Sequence, residues 1–181
     1  MRQARIHWIL MLGALAGCTP LTARQAQRRE SGAPIARGPD ATPTVRVEDL
    51  VADAHSLPDS QRLIVETALA ALHASSHFLD CSGFVQQVFQ AAGVPLPRTV
   101  HEQWRRGLPI DAPGLRPGDL VFFAFGRRTA DHVGIYAGRG HVVHVSSSSA
   151  GVQLAPLESA VFAGAWVGAR RVLVHSGTPR T

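Results

Sequence analysis

The chain changes texture near its middle, and that change limits the folds open to it. From about residue 59 to residue 106 apolar residues recur near helical spacing. Beyond it come short β-rich runs, "RPGDLVFFAF", "DHVGIYAG", "HVVHVSSS", "GVQLAPL" and "GARRVLVH", separated by Gly, Ser, Asp and Arg. Helices first and strands afterwards predict an α+β domain, with N-terminal helices packed on a mostly antiparallel β-sheet.

The helical half divides into three segments. "DSQRLIVETALAALHAS" carries Leu63, Ile64, Thr67, Leu69 and Leu72 near helical spacing, with Asp59 or Ser60 as its cap. "FLDCSGFVQQVF" places Phe84, Val85, Val88, Phe89 and Ala92 on one stripe, and Gly93 is a natural stop. "VPLPR" forces an extended connection. Thr99 and Glu102 then match a capping box, which predicts a short helix over Thr99 to Arg106.

The N-terminal part has a different character. Arg2 and Arg5 precede a short apolar run from Ile6 to Ala16, which ends in Leu15-Ala16-Gly17-Cys18. The run is too short to span a bilayer and reads as a signal segment. Its end resembles the lipobox of bacterial lipoproteins, which implies Cys18 as the acylated residue; a plain secretory signal with an accidental cysteine is the alternative. Residues 19–58 are rich in Arg, Pro, Thr, Ala and Gly and read as a flexible tether. The expected organisation is therefore a lipoprotein signal peptide over 1–17, a lipidated N-terminus and linker over 18–58, a folded domain over 59–176 and a tail over 177–181. The net charge of +5 comes entirely from arginine and is spread along the chain. It forms no dense basic stripe with interleaved aromatics, so nucleic acid is not an expected partner.

Cys18 and Cys81 are the only cysteines among the 181 residues. With Cys18 acylated, Cys81 has no internal partner, which is unusual for an exported chain. In the first turn of a helix a thiol meets the positive end of the backbone dipole and unpaired N–H groups, and both favour thiolate. Cys81 is then either a nucleophile or a small buried apolar residue. A nucleophile needs a base and a group that orients the base. In "DHVGIYAG" the period of two puts His132, Gly134 and Tyr136 on one face and Val133 and Ile135 on the other. A hairpin through "AGRG" brings His144 to the face of His132 on the neighbouring strand, with His141 in the turn or on the opposite face. Two histidines could hold zinc, but no third ligand is evident, and neither metal nor cofactor is expected.

"DCSGFVQQVFQAAGVPLPRTVHEQWRRG", "LRPGDLVFF", "DHVGIYAG" and "VVHVSSSSAGV" together resemble the NlpC-type cell-wall cysteine peptidases, a papain-like family, over about Phe78 to Val174. The resemblance implies Cys81 as nucleophile, His132 as base and His144 as the polar third member. It also implies Asp80 and Ser82 at positions that help recognise substrate, while Asp119 of "PGDLVFF" is expected to be structural. One departure stands out. The tyrosine usual about a dozen residues before the cysteine is missing from "ETALAALHASSHFL", and Tyr136 is the only tyrosine. Either His73 or His77 stands in its place, His77 being nearer, or the site is weakened, or the cleft wall is remodelled for another substrate; the plain alternative for both histidines is an exposed loop position.

The implied function is a peptidoglycan endopeptidase that cuts stem-peptide or cross-link bonds. The alternatives are a catalytically silent wall-binding or adaptor lipoprotein and a related amidase or acyltransferase. The expected partners are peptidoglycan stem peptides and the membrane, reached through lipidated Cys18. The expected location is the cell envelope, facing the periplasm, with the outer membrane ahead because Thr19 is not an aspartate.

Overall fold

The computed structural model describes residues 45–73, 80–146 and 151–172, all within the unit Pro43–Thr181. Its helices are α1 (Val47–Ala54), α2 (Asp59–Ala70), α3 (Cys81–Ala91), α4 (Val100–Gln103) and α5 (Ala160–Ala163). Its strands are β1 (Leu108–Ile110), β2 (Leu120–Phe123), β3 (His132–Gly138), β4 (His141–Ser146), β5 (Gly151–Pro156) and β6 (Trp166–Arg171). The six strands form one sheet in the order β1-β6-β2-β3-β4-β5, and every pairing is antiparallel. This is the α+β, papain-like arrangement expected from the texture of the sequence.

Alternation along the strands divides the core. Leu120, Phe122, Val133, Ile135 and Val143 face the helices and meet Ile64, Val65, Leu69, Phe84, Val85 and Phe89. Val121, Phe123, Val142 and Ala169 face the other way, against Phe162 and Ala165. Phe84 and Phe89 have no exposed surface, and burying each contributes roughly 1.5–3 kcal/mol. Those two rings, with Val85 and Val88, seat α3 on the sheet and so fix where its first residue lies. Gly93 takes a φ of 77°, the left-handed conformation that ends the helix without a Cβ penalty.

Three boundaries differ from the sequence reading. The folded region starts before residue 59, because α1 occupies part of the segment read as tether. Its Leu50 is wholly buried, and Arg139 of the β3–β4 turn pairs with Asp53 at 2.6 and 3.0 Å. In α2 the cap position falls on Pro58, and Asp59 is already helical. Proline at that point lacks only an N–H that a helix start cannot use. The capping box at Thr99 is formed as expected, but the helix ends at Gln103 and not at Arg106.

Candidate active site

Cys81 is the first residue of α3, and its position is set by the residues around it. Asp80 is extended, and its Oδ1 accepts the Gly83 amide at 2.7 Å, capping the helix. Arg98 grips the same carboxylate with two bonds, at 2.9 and 2.8 Å, and donates to Ser82 Oγ at 3.2 Å. The guanidinium holds the Asp80 carboxyl below the usual carboxylate range. Gln103, fully buried, donates from Nε2 to the carbonyls of Ser82 and Pro97, which ties α4 to the start of α3.

The two histidines meet as the period of two predicts. Ile135 pairs with Val143 and Tyr136 with Val142, so His144 lies opposite Gly134 and diagonal to His132. His132 Nε2 and His144 Nδ1 are 3.2 Å apart, and the rings are nearly perpendicular at 77°. Gly134 makes room for this contact: a Cβ there would stand 3.2 Å from His144 Cβ and 2.5 Å from Val142 Cγ2. His144 is 7% exposed and lies edge-on to Phe162, with centroids 5.0 Å apart. Phe125 packs at 5.3 Å against His132 and is itself 47% exposed, so it forms an open rim beside the pair.

The Cys81 sulfur reaches the site from the helix side and lies within hydrogen-bond reach of the Val133 backbone, one residue past His132. Among the described residues no hydrogen bond joins the sulfur to either imidazole. With Nε2 of His132 engaged by His144, Nδ1 is the ring nitrogen left to serve the thiol.

Ionisation departs from the sequence reading. Burial pushes the Cys81 thiol above its ordinary value, and the Asp80 carboxylate adds to this; backbone hydrogen bonds at Val133, Ser82 and Cys81 offset only part. Burial also lowers His132 to about 4, helped by His144 and opposed by Asp131. His144 is lowered by burial too, partly offset by a hydrogen bond to the Val145 backbone. The resting thiol and imidazole are therefore both neutral, not the thiolate pair that the helix dipole alone suggests.

Of the other expected site residues, Ser82 is only 4% exposed, and its hydroxyl is shared between Asp80 and Arg98. That is the setting of a residue that holds the helix start rather than one that meets substrate. Asp80 is about half exposed beside the thiol. His77 and Cys18 lie outside the described residues, and His73 closes the short turn after α2. Tyr136 does not take the place of the missing tyrosine: its hydroxyl accepts the Gly140 amide at 3.0 Å in the β3–β4 turn. Asp119 is buried in an ion pair with Arg171 at 2.7 Å, a structural role as expected. Sequence reasoning missed Arg98, Gln103, Phe125 and Phe162.

The NlpC/P60 family profile matches residues 72–171. The chain belongs to the NlpC/P60 family. It is 43% identical over 99 residues to the murein DD-endopeptidase MepS/murein LD-carboxypeptidase of Escherichia coli strain K12, covering 54% of this chain and 52% of that protein. It is 28% identical over 152 residues to a gamma-D-glutamyl-L-lysine dipeptidyl-peptidase of Bacillus cereus, covering 83% of this chain and 44% of that one. The chain thus spans about half the length of these curated relatives. Among solved structures, an NlpC/P60 family protein from Bacillus cereus superposes with a TM-score of 0.50 at 35% identity, over 52% of this chain and 32% of that one. A lipoprotein-like NLP/P60 protein from Staphylococcus aureus gives a TM-score of 0.56 at 27% identity, over 65% of this chain and 43% of that one.

Proposed function

We propose that this NlpC/P60 chain is a peptidoglycan endopeptidase that cuts stem-peptide or cross-link bonds through Cys81, His132 and His144. The observation that carries the reading is the 3.2 Å contact between the two imidazoles on adjacent strands, beside the residue whose backbone meets the sulfur. The names of the relatives, murein endopeptidases and a gamma-D-glutamyl-L-lysine peptidase, support the substrate class.

In this mechanism His132 Nδ1 takes the thiol proton as the sulfur attacks the peptide carbonyl, because the pair is neutral at rest. The C–S bond forms, and the carbonyl electrons move to oxygen, where the Cys81 backbone N–H stabilises them. His132, now cationic, donates from Nε2 to the Nδ1 lone pair of His144. A neutral His144 suits that acceptor role, and its lowered basicity keeps it neutral. The imidazolium proton passes to the leaving amine as the C–N bond breaks. Water, deprotonated by His132, then releases the acyl group and restores the thiol. We further propose a lipid anchor at Cys18 that holds the domain in the cell envelope, at the outer membrane. Incorporation of a fatty-acid probe that is lost in Cys18→Ser tests it.

The purified chain is expected to release fragments from isolated peptidoglycan, and Cys81→Ala to release none above background. Identical fragments from both proteins would end the proposal. One observation favours a silent wall-binding domain, namely the raised thiol. That reading expects peptidoglycan to sediment with the protein while no fragment appears.

A further inference from the structure

We propose that the cavity next to His132 is a subsite for a carboxylate of the substrate, and that Arg127 is the residue that binds it. The proposal rests on the peptide-hydrolase reading above and adds the chemistry of the group beside the cleaved bond.

The cavity encloses about 400 Å³. One wall is the start of α4, with Thr99 and His101; the other is the β2–β3 loop, with Arg127, Thr129 and Asp131. Both walls lead directly to the reacting groups. Asp131 immediately precedes His132, and Thr99 immediately follows Arg98, whose guanidinium grips Asp80 beside Cys81. A group seated here lies against the residues that flank His132 and Arg98 in the chain.

The lining favours an anion. Arg98, which precedes Thr99 in the chain, is committed to the Asp80 carboxylate. Arg127 forms no hydrogen bond or close ion pair among the described residues, although its charge acts on Asp131 in the same wall, so its donors remain open to a ligand. Asp131 is the one carboxylate in the wall, and both its oxygens are engaged: Oδ1 accepts the Phe125 amide at 2.9 Å and Oδ2 the Gly126 amide at 3.0 Å. Burial would raise this carboxyl, but backbone amides and, to a smaller extent, the Arg127 charge hold it below the usual range. Its role is therefore to root the loop, together with its own amide, which donates to the Phe123 carbonyl at 2.9 Å. The loop thus presents Arg127 from a fixed base. The hydroxyl of Thr99 is spent on Glu102, which leaves Arg127, His101 and the Thr129 hydroxyl facing the space. A planar guanidinium with two parallel donors matches a carboxylate better than a neutral amide, which offers one acceptor oxygen and two repelling N–H groups.

The test uses pairs of synthetic stem peptides that differ in one group, a free carboxylate or its carboxamide, placed on either side of the cleaved bond. Wild-type protein is expected to prefer the carboxylate member by roughly tenfold or more in kcat/KM, mainly through KM. Arg127→Gln should lose that preference to within about twofold, and Arg127→Lys should recover part of it. No preference in wild type, or one that persists in Arg127→Gln, overturns the subsite. If no peptide of either kind is cut, the hydrolase reading fails separately. Titration calorimetry of the same peptides against wild type and Arg127→Gln then decides the subsite. Tighter binding of the carboxylate by wild type alone supports it, and equal affinities reject it.

Discussion

Gly134→Ala tests the imidazole contact without replacing either histidine. Gly134 has ordinary strand geometry, so an alanine backbone fits, but its methyl does not. The new Cβ would stand 2.5 Å from Val142 Cγ2, 2.9 Å from the Val143 carbonyl and 3.2 Å from His144 Cβ. Val142 is fully buried and cannot move outward. Overpacking of this kind costs about 1–3 kcal/mol, which for a domain of this size lowers Tm by roughly 3–12 °C. The strain falls on the strand that carries His144, so the 3.2 Å contact to His132 should open as well. A misplacement near 1 Å in catalytic machinery costs on the order of 10²-fold in rate. Thermal unfolding and peptidoglycan release measured on one preparation give both numbers. Gly114→Ala is the control, because its methyl meets only Ile110 Cγ2, at 3.4 Å. A Gly134→Ala protein with the Tm and activity of wild type would show that the imidazole contact does not depend on the space Gly134 leaves.

Asp119→Ala leaves the partly buried Arg171 guanidinium with only the Gly114 carbonyl as acceptor among the described residues and should cost about 3 kcal/mol, read as a lower urea midpoint; an unchanged midpoint contradicts the structural role. Stability should fall as the pH drops from 6.5 through about 4. The unfolded His132 takes up a proton across that window while the folded one resists it, so stability rises with pH there and levels off above. His132→Gln should flatten the slope of urea midpoint against pH, and an equal slope in both proteins argues against the buried neutral ring. Because the Cys81 thiol is raised, its rate of alkylation by iodoacetamide should keep climbing between pH 7 and 9. A plateau already reached below pH 7 points to a preformed thiolate.

Much of this arrangement is local, and what is local was readable. The stripe from Phe84 to Ala92 and the Gly93 stop define α3, and the alternation in "DHVGIYAG" places His132 and Gly134 on one face. The hairpin through "AGRG" does the rest, because antiparallel pairing fixes which residues meet. Helix α1 was readable too, since Val47, Leu50, Val51 and Ala54 follow helical spacing, but the Pro- and Arg-rich residues before it masked the signal. Contacts between distant residues carried no such sign. Arg98 reaches Asp80 across 18 positions, and Phe162 meets His144 from a helix beyond β5. The thiol shows the same limit. The helix dipole is a local effect and was visible in sequence, whereas the desolvation that outweighs it comes from burial of Cys81 against the folded core.

Nitrogen NMR of protein labelled in its histidine rings tests the central arrangement most directly. His132 is expected to carry its proton on Nε2, bonded to His144, with an open lone pair on Nδ1, and its ring to titrate at about pH 4. A proton on Nδ1 of His132, or a titration near 6.5, would contradict that arrangement.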